Sequence, residues 1–137
     1  MPIRSRIISR LRIIVSVAEG ELTLKDIQHH RDSMLSNPSY DERLRLLFDM
    51  RRVTRFDTSA MELRAHADAG AAGWRRYQRL AFLAPTDLAF GLARVYQAYV
   101  GAQYDEDSLR VFRRKDEAWQ WLVEDKALAI QVGRRDR

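Results

Sequence analysis

The stretch Leu44-Arg-Leu-Leu-Phe-Asp-Met-Arg-Arg-Val-Thr-Arg-Phe-Asp-Thr-Ser-Ala-Met-Glu62 decides the fold. Leu44, Leu46, Leu47, Phe48 and Met50 make an apolar run that is nearly continuous and too short for a buried helix. Such runs suit a parallel strand with helices covering both faces. Beyond Met50 the loop from Arg51 to Glu62 carries Arg51, Arg52 and Arg55 and leads into the next helix. Ser59-Ala60-Met61-Glu62 then has the spacing of a capping box, so a helix is expected from Ser59 to about Ala72. A strand, a loop and a capped helix make half of a βαβ unit.

The same alternation continues on either side. Downstream, Leu80 to Ala84 reads as a buried strand ended by Pro85. Leu88, Leu92, Val95, Tyr96 and Tyr99 then fall on one helical stripe. Leu109, Val111 and Phe112 give a last strand, and Asp116 to about Glu124 a last helix. Upstream, Ile3, Ile7 and Ile8 belong to a first strand. Leu11, Ile13, Ile14, Val15 and Val17 belong to a second, broken at Glu19-Gly20-Glu21. Thr23 followed by Asp26 suits an N-cap, and the helix from Leu24 to about Ser36 stops at Asn37-Pro38.

The order ββαβαβαβα predicts an α/β fold, a mixed and mostly parallel five-stranded sheet with about four helices. The first two strands are joined too tightly for a crossover and should pair antiparallel. Leu47, Phe48, Leu80, Phe82, Leu92, Val95, Val111 and Leu122 are the expected core. Residues 1–125 read as a single domain and 126–137 as a basic tail. Ala127 to Val132 is open between an edge strand and an extension of the last helix.

Composition excludes several function classes. The 137 residues are 46% hydrophobic and 31% charged, which suits a globular domain with a real core. The absence of cysteine rules out disulfides, thiolate metal sites and cysteine nucleophiles. No apolar run nears the roughly 18 residues that span a bilayer, and Met1 to Val17 alternates Arg with short apolar clusters, so cytoplasm is the expected location. The net charge of +5 invites a nucleic-acid reading. However, among the 24 basic residues only Lys25, Lys115 and Lys126 are not Arg, a bias that base composition alone can produce. Acidic residues are interspersed and no nucleic-acid motif accompanies the charge, so nucleic acid is not the expected partner.

No catalytic or metal constellation is legible, and neither cofactor nor metal is expected. Consecutive His29 and His30 point about 100° apart on a helix and cannot share a metal, so both are expected in solvent, with Asp26 in reach of His30. His66 has no evident partner, and Ser59, His66 and Asp57 lack a nucleophile elbow. There is no Gly-rich phosphate loop. Of Trp119 and Trp121, one should be core and the other rim, while Tyr96 and Tyr99 are expected in the core.

The start of the helix at Ser59 is the candidate site. A helix N-terminus presents free N–H groups and a positive dipole end, and Arg51, Arg52 and Arg55 lie just before it. Such a place can hold a phosphate, a carboxylate or a phosphorylated Ser59. Ser59 can equally be a helix cap and nothing more, or leave capping to Asp57 or Thr58.

The segment from Leu46 to Met61 resembles the signature of STAS domains, the fold of anti-sigma-factor antagonists. That signature is an apolar strand ending in Asp, a Val-Thr loop and an Asp-Ser-Ser-Gly-Leu helix start. Asp49, Val53, Thr54, Asp57 and Ser59 fall where it expects them. Thr58 stands in place of its first Ser and Ala60 in place of its Gly. The chain is also similar to proteins described as STAS/SEC14-like through Gly20-Glu21-Leu22-Thr23, Ala84-Pro85-Thr86-Asp87, and Phe112 with Glu117-Ala118 and Trp121-Leu122.

The resemblance implies a non-enzymatic regulatory module with a protein partner, in which the serine matching Ser59 is a phosphorylation switch. The alternative is a carrier or sensor of a small anionic or lipid-like ligand. A homodimer is the expected assembly. An interaction module should have a filled core and an exposed helix end. A carrier should have a contiguous apolar pocket with few charges at its mouth.

Overall fold

A five-stranded sheet in the order β1-β2-β3-β4-β5 carries the chain. The computed structural model describes residues 2–41, 43–59, 61–65, 77–100 and 108–124. The elements are β1 (Ile3–Ile8), β2 (Ile13–Thr23), α1 (Leu24–Ser36) and β3 (Arg45–Asp57), then α2, helical over 61–65. After them come β4 (Arg79–Leu83), α3 (Asp87–Val100), β5 (Leu109–Phe112) and α4, helical over 115–124. The expected helix residues 66–72, His66, and the stretch 126–137 with its Ala127 to Val132 segment lie outside the described residues.

β1 pairs antiparallel with β2, and the other three pairings are parallel. This is the expected α/β fold with a mixed sheet and four helices. Leu46, Leu47 and Phe48 pair with Leu80, Ala81 and Phe82, so the two apolar runs lie side by side in the centre. The strands follow one another without a skip, and right-handed crossovers in one direction put their helices on one face. The packing agrees. Met34 of α1, Leu63 of α2 and Tyr96 of α3 share a cluster with Ile14, Leu46 and Leu80. On the opposite face Ala118, Trp121 and Leu122 of α4 pack against Ile13, Val15, Leu47 and Ala81.

α1 has the expected bounds because both ends are chemically marked. The Thr23 side chain accepts from the Asp26 amide while the Asp26 carboxylate accepts from the Thr23 amide, a full capping box. Asn37, ahead of Pro38, closes the other end. α4 is tied to the sheet through its last carbonyls. The Arg45 guanidinium, 3% exposed, donates to the Leu122 carbonyl at 2.7 Å, and Arg79 donates to that of Trp121. Cations near a helix C-terminus satisfy orphan acceptors and oppose the dipole.

Four expectations change. β2 does not break at Glu19-Gly20-Glu21. Gly20 takes φ +70°, the register shifts there, and the strand runs on to Thr23. β3 likewise continues through the presumed loop to Asp57, since Leu22 pairs with Phe56 and Thr23 with Asp57. On α3 the buried face is Ala89, Ala93 and Tyr96, while Leu88 is 62% exposed and Tyr99 sits at the surface. Small alanines let the helix lie close to the sheet, which turns the larger end residues outward. Phe82, Leu92, Val95 and Val111 are half-buried where full burial was expected. Leu47, Phe48, Leu80 and Leu122 are buried. Trp121 is buried and Trp119 half-buried, the expected division.

Candidate functional site

β3 delivers the chain to α2 at a corner built by hydrogen bonds. The Ser59 hydroxyl accepts from the Glu62 amide at 3.2 Å, and the Ser59 carbonyl accepts from the Leu63 amide at 3.0 Å. Ser59 is therefore the N-cap. The Glu62 carboxylate accepts from the Thr58 hydroxyl at 3.5 Å. Asp57 and Ser59 are exposed and Thr58 is half-buried. Leu63 turns into the core at 5% exposure, which leaves Met61 facing out at 80%.

The three arginines do not gather at this corner as free cations. Arg51 holds the buried Asp49 carboxylate with both Nε and Nη2, and that hydrogen bond raises its pKa. Arg52 and Arg4 both bind Glu19, and the Arg52 hydrogen bond, then the Arg4 charge, hold the Glu19 carboxyl below its ordinary value. Arg55 alone carries no hydrogen bond or ion pair among the described residues. Its exposed side chain sits in β3 two positions before Asp57.

Behind the corner lies a cavity of about 100 Å³. Leu46, Phe48 and Phe82 of the sheet form its floor, with Leu63 from α2 and Tyr96 from α3 at its sides. Its polar rim includes Thr58 and, from α1, His30 and Arg31. An edge-to-face row of rings runs along it. His30 meets Phe48 at 5.3 Å, Phe48 meets Phe82 at 5.9 Å, and Phe82 meets Tyr96 at 5.7 Å between centroids.

His29 is exposed, but His30 is not the surface residue the sequence suggested. Its Nε2 shares a 2.7 Å hydrogen bond with the hydroxyl of Ser16, and Ser16 shares another of 2.7 Å with Ser5. Asp26, the expected partner, is engaged in the α1 cap instead. Burial, with a smaller contribution from the charge of His29, pushes the His30 imidazole down to about 4, so it is neutral at pH 7. Ser16 is fully buried and beyond the reach of a substrate. A polar residue inside the apolar strand Ile13–Val17 was the signal that a buried partner must exist.

Among the described residues no three His, Asp or Glu side chains gather to hold a metal ion. No helix among them is long and apolar enough to cross a membrane.

Over residues 13–123 the sequence matches the family described as SpoIIAA-like. Among solved structures, the fold is similar to that of an uncharacterised protein with a SpoIIAA-like fold from Shewanella loihica. The TM-score is 0.56 at 17% identity, over 88% of this chain and 91% of that one. It is also similar to the anti-sigma factor antagonist SpoIIAA in its unphosphorylated form, with a TM-score of 0.49 at 14% identity, over 84% of this chain and 91% of that one. At these identities the likeness is one of fold. No curated protein matches the chain. With a family match across most of its length and a sheet of the same architecture, the chain belongs to the SpoIIAA-like family.

Proposed function

We propose that the chain is a non-enzymatic, cytoplasmic regulatory module that docks a protein partner through the corner between β3 and α2. The observation that carries this reading is Met61. A large apolar side chain is 80% exposed on the first turn of a capped helix, beside the exposed Asp57 and Ser59. An apolar side chain held outward at a capped helix start, with polar neighbours, is the kind of anchor that an interface desolvates. The family's namesake bears the name of an anti-sigma factor antagonist, and a protein is the class of ligand that name implies. Arg55 adds the uncommitted positive charge, so an acidic surface is the complementary partner. Phosphorylation of Ser59 would place about −1.5 to −2 charges at this face and change that complementarity.

The test is a photo-crosslinking residue placed at Met61 in cells, with the same residue at exposed Gln120 of α4 as control. A discrete adduct at Met61, absent at Gln120, is the expected result, and its mass separates a foreign partner from a second copy. Equal labelling at both positions, or none at Met61, removes the docking reading.

A second reading, carriage or sensing of a small anionic or lipid-like ligand, is favoured by one observation, the apolar cavity beneath the corner.

A further inference from the structure

We infer that β1 is an addition site for a further strand, an extended acidic segment of a protein partner that pairs with its outer edge. This surface is separate from the β3–α2 corner. β1 ends the sheet on one side, and its six residues make it a longer edge than β5, which has four. The Pro2 carbonyl accepts from the Glu19 amide at 2.7 Å, which marks Pro2 and Glu19 as a hydrogen-bonded pair. In an antiparallel ladder such pairs alternate with non-bonded ones, so Arg4 and Arg6 turn their N–H and C=O groups to β2. Those of Ile3, Ser5 and Ile7 point outward, a row of donors and acceptors that no strand takes up among the described residues. The row is held in place before any partner arrives. The Ser5 hydroxyl shares a 2.7 Å bond with Ser16, which shares another with His30 of α1. An edge fixed in advance reduces the ordering that would otherwise weaken strand addition.

Charge selects the occupant. Arg4 and Arg6 are exposed on the face opposite to that of Ser5. Arg4 shares the Glu19 carboxylate with Arg52, while Arg6 and, just beyond the strand, Arg10 carry no ion pair among the described residues. This side of β1 therefore keeps an excess of positive charge. A second copy pairing β1 to β1 would bring Arg4 and Arg6 against their own duplicates, and like charges opposite one another destabilise a sheet. An acidic strand turns the same residues into attractive partners. On the outer edge Arg4 and Arg6 belong to the non-hydrogen-bonded pairs, where facing side chains come closest, so Asp or Glu opposite each gives the strongest cross-strand pairs. The residue opposite Ser5 falls on the other face, beside a cleft of about 200 Å³ between Ser5 of β1 and His29 and Ser33 of α1, which leaves room for its side chain.

The test is amide NMR of the full chain titrated with two acetylated peptides of the length of β1, one alternating Val with Glu and the other Val with Lys. The Glu peptide is expected to give saturable shifts at the amides of Ile3, Ser5 and Ile7, with the Lys peptide about tenfold weaker. Variants checked for retained fold by their amide spectra separate charge from backbone pairing. Arg6→Glu should invert the preference between the peptides. Ser5→Pro removes an outward N–H that β2 does not use and should weaken the Glu peptide about tenfold, whereas Ser5→Ala, which keeps the N–H, should weaken it far less. No saturable shift with the Glu peptide, or shifts that leave the three outward amides unmoved, would overturn strand addition. Equal binding of the two peptides would overturn the acidic occupant. Shifts at the same amides that grow with protein concentration alone would overturn it too, in favour of a second copy. Shifts centred on Met61 would overturn the site at β1 and leave docking at the corner standing.

Discussion

Truncating Arg51 should destabilise the protein more than neutralising Asp49, although Arg51 is by far the more exposed partner. The Asp49 side chain is 5% exposed and that of Arg51 45%. The guanidinium holds both carboxylate oxygens, Nε donating to Oδ1 and Oδ2 at 3.1 Å each and Nη2 to Oδ2 at 2.9 Å. Arg51→Ala therefore leaves a buried carboxylate with only the backbone amide of residue 51 to accept from among the described residues, and no counter-charge from residue 51. Breaking a fully buried pair in this way costs about 3–5 kcal/mol, and discounting for the water that already reaches Arg51 leaves about 2 kcal/mol. Asp49→Asn keeps an acceptor for the Arg51 amide and frees a guanidinium that water can solvate, for about 1 kcal/mol or less. The double variant should recover part of the Arg51→Ala loss, a coupling of about 1 kcal/mol. Urea unfolding followed by the fluorescence of buried Trp121 reads the difference. With a slope of about 1.5 kcal/mol per molar urea, Arg51→Ala should lower the midpoint by about 1.3 M. A neutral Arg51→Ala, or one no worse than Asp49→Asn, would refute the ion-pair assignment and return Arg51 to the pool of free cations.

Other consequences follow from single residues. The folded His30 sits at about 4, below the usual 6.5, so the unfolded chain binds its proton more readily. Stability should be full above pH 6.5 and fall as pH drops toward 4, by at most about 3 kcal/mol, and His30→Gln should flatten that slope in urea midpoints taken across the window. Leu122→Ala, at a fully buried position on the α4 face, should cost about 3 kcal/mol by thermal and urea unfolding, and a cost under about 1 kcal/mol would mean that α4 does not cover the sheet. Gly20→Ala meets no atom within 4 Å but must hold φ +70°, so calorimetry should find a loss of about 1 kcal/mol from backbone strain alone.

What the sequence made legible was what is local. The Thr23–Asp26 box, the Asn37-Pro38 stop and the Ser59–Glu62 spacing each declare a helix end within four residues, and the structure places those ends there. The apolar runs of β3 and β4 declare central strands in the same way. The length of β2 and β3 was not legible, because Glu19 to Thr23 and Arg52 to Asp57 are polar segments that become strands only by pairing with each other. The arginines misled for a related reason. Arg51 and Arg52 look free in sequence, but their partners Asp49 and Glu19 become neighbours only through the strand pleat and the β2–β3 register. His30 and the cavity depend on three helices meeting one sheet face, and Ser16 was the single local hint of them.

The central claim, docking through the β3–α2 corner, is tested most directly by one affinity. It is the Kd of the partner captured at Met61, measured by titration calorimetry against the wild type, Met61→Glu and the control Gln120→Glu. An exposed apolar anchor at the centre of an interface predicts a loss of at least tenfold, about 1.4 kcal/mol, for Met61→Glu and none for Gln120→Glu. Equal affinity for wild type and Met61→Glu would contradict it.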